Sequence, residues 1–389
     1  MVPLPTVRVS RKGADRAASG HPWIFASDIV DRGQAQPGDV VRVAGPRDRT
    51  IGTAHYSSTS QICLRMLSEN VEEAGRDFFL RRLREAAAYR ERVVTGTEAF
   101  RLVHGEGDRL PGLVADCYGD CLVLQTLDQG MDRAKPLLAG CLREVFSPRS
   151  IVARNDVPVR ERESLPLEAG VLDGEEPGPL RVRMNGLWFR VDPLRGQKTG
   201  IYLDQRENYL AAARYAHGEA LDCFTSAGGF ALHLAARCSR VEAVDSSAEA
   251  LRGAAENARE NGIEHVEWRE ANVFDLLRSH AAAGRRYSTV VLDPPAFAKS
   301  RGSLDAALRG YKDINLRALQ LLGPGGILIS CSCSFHVSEA ALLEVIASAA
   351  LDARRTLRVL ERRAQAQDHP ILLTVPETHY LKCLILEVL

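Results

Sequence analysis

The pattern of apolar and polar positions divides the chain into three regions. In residues 1–72, short apolar runs occur at 40–43 and 62–67 and are accompanied by Pro-Gly and Gly-Pro turns, which predicts a small β-rich domain. The spacing over 76–95 is that of an amphipathic helix, and further strands and a helix complete a small α+β domain over 73–190. From residue 191 to 389 we predict a third domain, in which strands and helices alternate.

This alternation predicts an α/β fold with a mostly parallel, doubly wound sheet. The apolar runs that we interpret as its strands are 220–224, 241–244, 266–269, 289–292, 326–330 and 380–388. Before them, Asn185-Gly186 lies between the apolar runs 180–184 and 187–191, which predicts a β-hairpin. The acidic stretch 161–179 is rich in Pro and Gly and is predicted to be an exposed loop or hairpin.

Composition narrows the class of protein. The 50 basic and 50 acidic residues cancel, which argues against a surface covered in positive charge but permits a local basic face. Nine cysteines, an odd number, are typical of a reducing compartment. Neither Cys117/Cys121 nor Cys331/Cys333 has the Cys-x-x-Cys spacing of a zinc site, so we predict no metal. With no signal peptide and no apolar run of ~20 residues, we expect a cytoplasmic protein and no membrane partner.

A glycine turn and an acidic residue follow the first two strands of the predicted sheet. Ala227-Gly228-Gly229-Phe230 precedes a helix, and glycines there allow a ligand to approach the backbone. Asp245 ends the next strand 17 residues after Gly228, close to the spacing at which a carboxylate binds ribose hydroxyls. A simple turn and a helix N-cap are the alternatives. Because the full Gly-x-Gly-x-x-Gly pattern is missing, the pair favours S-adenosylmethionine over a nicotinamide cofactor.

The third strand is followed by Asn272 and Val273, a position that touches adenine in such folds. The alternative for Asn272 is a cap for the following helix.

The fourth strand ends at Asp293-Pro294-Pro295-Ala296-Phe297. The proline carbonyls can accept from the exocyclic amine of a base, Asp293 can bond a ring nitrogen, and Phe297 can stack on the ring. The alternative is a rigid end to the strand with a buried phenylalanine.

Cys333 lies just past the fifth strand. Carbon 5 of a pyrimidine is too weak a nucleophile to take a methyl group, and a thiolate that adds to carbon 6 activates it. A buried, inert cysteine is the alternative, and Cys331 on the same side of the strand is the second candidate for the nucleophile.

These motifs resemble the bacterial 23S ribosomal RNA cytosine-C5 methyltransferases that carry a PUA domain, over nearly the whole chain. The similar stretches begin at the opening of the PUA domain and continue to near the end of the chain. They are Gly20-His21-Pro22-Trp23-Ile24-Phe25, the segment 196–208, Asp222-Cys223-Phe224, Gly228-Gly229-Phe230, Asp293-Pro294-Pro295, Tyr311-Lys312-Asp313-Ile314-Asn315, Ser332-Cys333-Ser334 and Asp368-His369-Pro370.

The resemblance implies three domains: a PUA RNA-binding domain, a central α+β domain and a Rossmann-type class I methyltransferase domain. It implies that Lys198, Thr199 and Tyr202 lie near S-adenosylmethionine and that Cys333 is the nucleophile. The other residues that we assign to the cofactor are Asp222, Phe224, Thr225, Gly228, Gly229, Asp245, Ser246, Asn272, Val273 and Asp293.

Two departures from the family pattern stand out. Ala271-Asn272 replaces an Asp-Asp pair, and the segment 13–19 is less basic than expected for RNA binding. Ala296 stands where some RNA cytosine methyltransferases have a second cysteine, so the sequence does not identify the group that releases the product.

The resulting expectation is methylation of carbon 5 of a cytosine in 23S ribosomal RNA, with Cys333, Asp293, Pro294, Pro295 and Phe297 at the reacting end. Two alternatives remain. One is an exocyclic-amine or guanine methyltransferase that needs no covalent adduct, and the other is a non-catalytic RNA-binding assembly factor. The sequence leaves open whether the chain forms a homodimer.

Overall fold

The computed structural model describes residues 4–196, 201–298 and 301–389 of the chain. Near the N-terminus a six-stranded sheet has the order β2-β6-β5-β4-β1-β3. Val41 and Val43 are fully buried on one face of it while Arg42 between them faces Asp48, which is the alternation expected of a half-exposed sheet. Its elements are β1 (Thr6–Val9), α1 (Arg11–Ala18), β2 (Trp23–Phe25), β3 (Ile29–Asp31), β4 (Val40–Ala44), β5 (Thr50–Tyr56) and β6 (Ile62–Ser68).

The next stretch of chain forms a five-stranded sheet of order β11-β10-β9-β8-β7 with two long helices. Apolar residues of both helices, among them Phe79 and Leu142, share one core with the strands. The elements are α2 (Arg76–Val93), β7 (Ala99–His104), β8 (Leu113–Tyr118), β9 (Cys121–Thr126), α3 (Gln129–Phe146), β10 (Ser150–Arg154) and β11 (Ala169–Gly174).

Strand β11 corrects the sequence prediction for 161–179. Part of this stretch is a strand that pairs antiparallel with β10, from Ser150 opposite Gly174 to Arg154 opposite Ala169. Its positions are half-buried or exposed, as befits an edge strand, so it carries little of the apolar signal from which a strand is predicted.

The hairpin predicted around Asn185-Gly186 has the predicted bounds. Strands β12 (Leu180–Met184) and β13 (Leu187–Val191) form a two-stranded sheet. Asn185 and Gly186 have φ values of +54° and +85°, the left-handed pair that a tight two-residue hairpin turn requires.

The remaining elements build a seven-stranded sheet of order β16-β15-β14-β17-β18-β20-β19. They are α4 (Arg206–Tyr215), β14 (Glu219–Cys223), α5 (Gly229–Ala235), β15 (Arg240–Asp245), α6 (Ala248–Glu260), β16 (Val266–Glu270), α7 (Val273–Ala282), β17 (Tyr287–Leu292), α8 (Leu304–Leu321), β18 (Leu322–Ser332), α9 (Glu339–Asp352), β19 (Leu357–Arg363) and β20 (Lys382–Val388).

The five strands from β16 to β18 pair in parallel, and β20 pairs antiparallel with both β18 and β19. The direction of winding reverses at β14, which lies between β15 and β17, and such a switch point opens a crevice at the carboxyl ends of the strands. The predicted doubly wound α/β sheet is therefore confirmed. Strand β19 was missed, because arginines and a glutamate interrupt its apolar positions.

The chain divides into two compact units. One comprises Met1–Arg183, Val191–Ile201 and Gln367–Thr378, and the other comprises Met184–Arg190, Tyr202–Ala366 and His379–Leu389, including the seven-stranded sheet. The boundaries at residues 72 and 190 stay a prediction. Across the part of the chain that the structure describes, no helix combines the length and apolarity needed to cross a bilayer.

Candidate active site

The loop after β14 turns sharply at the carboxyl edge of the sheet. Phe224, Ser226 and Gly228 have φ values of +65°, +49° and +84°, so three of five successive residues are left-handed. The Thr225 amide donates to the Val244 carbonyl at 3.0 Å, and the Gly228 amide donates to the Thr225 carbonyl at 2.9 Å. The loop is thus fixed against β15 just before α5 begins.

The buried side chain of Asp222 anchors this loop through two hydrogen bonds. Its Oδ2 accepts from Thr225 Oγ1 at 2.6 Å and from the Ala231 amide at 2.9 Å. The side chain is fully buried, and burial raises its pKa to about 7. Within the described residues its Oδ1 has no hydrogen-bond partner, so one buried acceptor is left over beside the loop.

The two glycines are needed for packing. A Cβ on Gly229 would lie 2.3 Å from Cζ of Tyr209, a buried ring, and one on Gly228 would lie 3.0 Å from the Trp268 ring. Gly229 therefore lets α5 approach α4 closely. The predicted contact of both glycines with the cofactor stays a prediction.

Asp245 joins the end of β15 to the same loop. Its Oδ2 accepts from the Ser226 amide and its Oδ1 from the Ser247 amide, both at 2.9 Å. The N-cap of α6 is Ser247, whose side chain accepts from the Ala250 amide, so the cap alternative for Asp245 is not what the structure shows. Ser246, the residue between, is exposed.

For Asn272 the structure shows the cap alternative. Its Oδ1 accepts from the amides of Phe274 and Asp275 at 2.9 and 3.3 Å and so caps α7. Val273 is buried in the core of the unit. Both side chains are thus engaged in contacts within the protein, and the adenine contact predicted for these two residues stays a prediction.

Asp293 is oriented by the amide of Gln205, a residue of the segment 196–208 to which the sequence analysis assigned no role. Gln205 Nε2 donates to Asp293 Oδ1 at 2.9 Å, and Asn208 Nδ2 donates to Gln205 Oε1 at 2.7 Å. Gln205 and Asn208 are both buried, so this chain of bonds fixes the carboxylate at the end of β17. Lys198 and Thr199 lie outside the described residues.

Four carboxylates gather around two tyrosines at this edge. Burial raises the pKa of Tyr209 well above its ordinary value, and Asp293, Asp204 and Asp222 add to the rise. Burial likewise raises the pKa of Tyr202 to about 12, with Asp293, Asp204, Cys333 and Asp245 acting in the same direction. Both phenols therefore stay neutral at physiological pH, and the electrostatic environment is acidic.

Cys333 follows the last residue of β18 and is half-buried. Its thiol lies 3.9 Å from the Pro294 carbonyl oxygen, to which it donates a weak hydrogen bond. The structure thus brings together the cysteine and the Asp-Pro-Pro motif from the ends of adjacent strands. Pro295, next to Pro294, is exposed.

The second candidate, Cys331, is in a different environment. It is fully buried and lies opposite Cys383 of β20 in the strand register. Burial raises its pKa well above the ordinary value, so its thiol stays protonated. The structure disfavours Cys331 as a nucleophile.

Ser334 connects the cysteine turn to its surroundings. Its Oγ accepts from the Ala298 amide at 3.2 Å and lies 3.2 Å from the Tyr311 hydroxyl. Its carbonyl accepts from Nζ of Lys382 at 2.7 Å. Three elements, the loop after β17, α8 and β20, therefore fix the turn that carries Cys333.

Phe297 packs against other rings of the protein. Its ring centroid lies 4.7 Å from that of Tyr311 and 5.9 Å from that of Phe274, and the side chain is half-buried. This is the alternative reading of a phenylalanine in the core, and base stacking by Phe297 stays a prediction.

The supporting roles that the sequence analysis missed belong to residues that act through other residues. Gln205 and Ser334 lie in stretches that carry the family resemblance but were assigned no role, and Lys382 lies in no motif. Gln205 positions Asp293, and Ser334 and Lys382 position the turn that carries Cys333. For Lys382 a signal existed, since a lysine inside the apolar run 380–388 is unusual in a sheet strand.

The residues at this edge fit S-adenosylmethionine. The carboxylates of Asp222, Asp245, Asp293 and Asp204 complement a ligand with a sulfonium and an ammonium charge. The leftover Oδ1 of Asp222 also suits a donor-rich ligand. Asp245 keeps further lone pairs on its two oxygens for hydroxyl donors.

Comparison with known proteins identifies a protein family for the N-terminal part of the chain and another for the C-terminal part. A family described as PUA-like domain matches residues 7–69, and the S-adenosylmethionine-dependent methyltransferase family matches residues 159–385. Proteins named Ribosomal RNA large subunit methyltransferase I are similar over almost the whole length. Those of Shewanella denitrificans and Aeromonas salmonicida are 43% and 40% identical, covering 95% and 94% of both chains.

Solved structures share the fold. An S-adenosylmethionine-dependent methyltransferase from Streptococcus mutans superposes with a TM-score of 0.83 at 18% identity, covering 98% of this chain and 100% of its own. The methyltransferase SMU.776, crystallised with SAH, gives a TM-score of 0.85 at 18% identity with the same coverage.

The predicted combination of a PUA-like β domain and a Rossmann-type methyltransferase domain is therefore confirmed, as is S-adenosylmethionine as the cofactor. Identity of 43% over 95% of the chain is far above what a shared fold alone produces. The chain belongs to the ribosomal RNA large subunit methyltransferase I family of S-adenosylmethionine-dependent methyltransferases.

Proposed function

We propose that this protein methylates carbon 5 of a cytosine in 23S ribosomal RNA, with Cys333 as the nucleophile. The names of its relatives support a large-subunit RNA substrate. The observation that carries the choice of chemistry is the half-buried Cys333 thiol 3.9 Å from the Pro294 carbonyl, at the edge of the sheet where the cofactor loops end. A methyl transfer to an exocyclic amine needs no thiol there.

In the proposed reaction the Cys333 thiolate adds to carbon 6 of the ring, and the electron pair of the carbon 5–carbon 6 double bond moves toward carbon 5. N3 of the ring takes up a proton as the thiolate adds, Asp293 accepts a hydrogen bond from the resulting N–H, and the carbonyls of Pro294 and Pro295 accept from the exocyclic amine. When bound, S-adenosylmethionine would supply an electrophilic methyl group, which bonds to carbon 5 as its bond to the sulfonium sulfur breaks. Loss of the carbon 5 proton to a base and of the N3 proton to solvent then restores the double bond and expels the Cys333 thiolate.

The carboxylates described above would hold the cofactor. Asp245 is proposed to accept from the ribose hydroxyls, and the loop from Phe224 to Gly228 to line the methionine end. Lys198, Thr199 and Tyr202 are likewise proposed to lie near the cofactor. The PUA-like domain is proposed to contact the RNA, as its type implies.

The test replaces Cys333 by alanine. We expect the C333A variant to bind S-adenosylmethionine in calorimetry as the wild type does, and to leave 23S RNA without 5-methylcytosine when bisulfite sequencing is applied to a deletion strain that expresses it. The matched control is C331A, two residues earlier on the same strand, which should restore the modification because Cys331 is fully buried.

Trapping separates the alternatives. RNA that contains 5-fluorocytosine should form a covalent complex with the wild type and none with C333A, because fluorine blocks loss of the carbon 5 substituent. Full methylation by C333A would contradict the proposal and favour transfer to an exocyclic amine or guanine. Failure of the wild type to bind S-adenosylmethionine would favour an assembly factor.

A further inference from the structure

We propose that Lys382 is a positioning residue that fixes the turn carrying Cys333 and stabilises its thiolate. The catalytic meaning of this inference rests on the proposed role of Cys333. The observation behind it is a buried ammonium group that donates to the backbone carbonyl of Ser334, the residue after the cysteine.

Lys382 begins β20 and lies opposite Ser332 of β18 in the register. The residue is only 3% exposed. Its Nζ donates to the Ser334 carbonyl at 2.7 Å and to the Tyr380 carbonyl at 2.9 Å. A lysine is costly to bury, and it usually keeps its charged end in water. These two bonds direct the charge toward the turn instead.

Charge links the lysine to the cysteine. Burial lowers the pKa of Lys382 to about 8, while the negative charges of Cys333 and Glu339 act in the opposite direction. The amine is therefore still mostly protonated at neutral pH. Cys333 also acts electrostatically on Tyr202 and Tyr311, which remain neutral phenols.

Among the described residues, acidic side chains near Cys333 oppose a thiolate. Asp293 lies at the end of the adjacent strand β17, and both it and Cys333 raise the pKa of Tyr202 and of Tyr311, so the two groups share one environment. Negative charge on Asp293 disfavours a second negative charge on the thiol. Thiolates in proteins are commonly stabilised by a neighbouring lysine, arginine or protonated histidine. Lys382 supplies that charge from β20.

The test measures the thiolate directly and needs no RNA. Iodoacetamide alkylates the thiolate form, and the rate at Cys333 can be followed by peptide mass spectrometry from about pH 6 to 9. In K382M we expect the midpoint of the profile to move up by about one pH unit, which is a tenfold lower rate below both midpoints. K382R keeps a cation and should restore most of the rate.

The matched control is K312M. Lys312 carries its ammonium on α8, where it pairs with Asp352 at 2.8 Å and is 40% exposed. Its removal should leave the Cys333 profile unchanged. A K382M profile that matches the wild type would overturn the inference.

A reciprocal measurement covers the case in which K382M does not fold. If the ammonium stabilises the thiolate, the thiolate must stabilise the ammonium by the same free energy. Titration of the Lys382 Nζ by ¹⁵N NMR should therefore give a lower pKa in C333S than in the wild type, by up to about one unit. Equal values in the two proteins would also overturn the inference.

These outcomes are separable from those of the proposed function. If C333A still methylates RNA, the proposed function fails whatever the alkylation profiles show. If C333A is inactive and trapping succeeds, but neither K382M nor C333S changes its partner's titration, only the inference about Lys382 fails.

Discussion

Two connections at the carboxyl edge of the same sheet are organised by buried charges of opposite sign. The loop after β14 is held by the Asp222 carboxylate, which accepts from a hydroxyl and an amide. The turn after β18 is held by the Lys382 ammonium, which donates to two carbonyls. Asp222 lies where a cationic cofactor is expected. Lys382 lies beside the cysteine that is proposed to form a thiolate. Under the two proposals, each connection therefore carries a charge opposite to that of its own ligand or nucleophile.

The largest expected effect comes from removing the acid. In D222A the Thr225 hydroxyl and the Ala231 amide lose their buried acceptor, which should lower the free energy of unfolding by about 2–4 kcal/mol. The loop should also lose order, so calorimetry should show an affinity for S-adenosylmethionine reduced at least about tenfold, or about 1.4 kcal/mol. Urea unfolding gives the first quantity.

The comparison between the two connections sharpens this test. Because Asp222 serves the first connection, D222N should weaken cofactor binding while leaving the alkylation profile of Cys333 unchanged. K382M should do the reverse. If either variant changes both readouts equally, the two connections are not separately organised and the contrast does not hold.

A second effect concerns the glycine turn. In G229A the new methyl group would lie 2.3 Å from the buried Tyr209 ring, so α4 and α5 must separate. We expect a loss of about 2–3 kcal/mol in the free energy of unfolding. Its control is G253A inside α6, where a Cβ has open space, and which should gain about 0.5–1 kcal/mol. Equal effects of the two variants in urea unfolding would show that the Tyr209 contact does not matter.

Part of this site could be predicted from the sequence. Apolar runs end at the strand termini, and the residues that follow them, Asp245, Asp293 and Cys333, could be assigned to one edge because parallel strands share it. The sequence could not predict which residues distant along the chain position these side chains by hydrogen bonds. Lys382 reaches the cysteine turn because β20 is inserted between β18 and β19, and reading along the chain does not reveal that order. Gln205 lies in the segment 196–208, but the Asp293 side chain that it orients is 88 positions further along the chain, so its role could not be assigned from the motif.

The pH dependence of stability should differ in sign between the two buried charges. The pKa of Asp222 is about 7, above that of an unfolded aspartate, so the folded state holds its proton longer. Its contribution to stability is therefore present at low pH and is lost as the pH rises toward 7, with a slope of at most about 1.4 kcal/mol per pH unit. Urea unfolding of the wild type and D222N, compared at each pH, should show this slope in the wild type alone.

Lys382 should show the opposite trend. Its pKa of about 8 is below that of an unfolded lysine, so above pH 8 the unfolded state binds the extra proton. The cost of burying the ammonium is then relieved, and stability relative to K382M should rise with pH over that range, again by at most about 1.4 kcal/mol per pH unit. A flat difference between wild type and K382M would mean that Lys382 keeps an ordinary titration and that the two connections are not mirror images.

The smallest effect distinguishes capping from cofactor binding at Asn272. Since its Oδ1 accepts from two amides at the start of α7, N272A should cost about 1 kcal/mol of stability, while N272D keeps an acceptor at the helix N-terminus and should cost less. If capping is the main role, calorimetry should find the affinity for S-adenosylmethionine within about twofold of the wild type, or about 0.4 kcal/mol, in N272D. A loss of tenfold or more in N272D, with its stability intact, would instead assign the side chain to the adenine and extend the cofactor site to the end of β16.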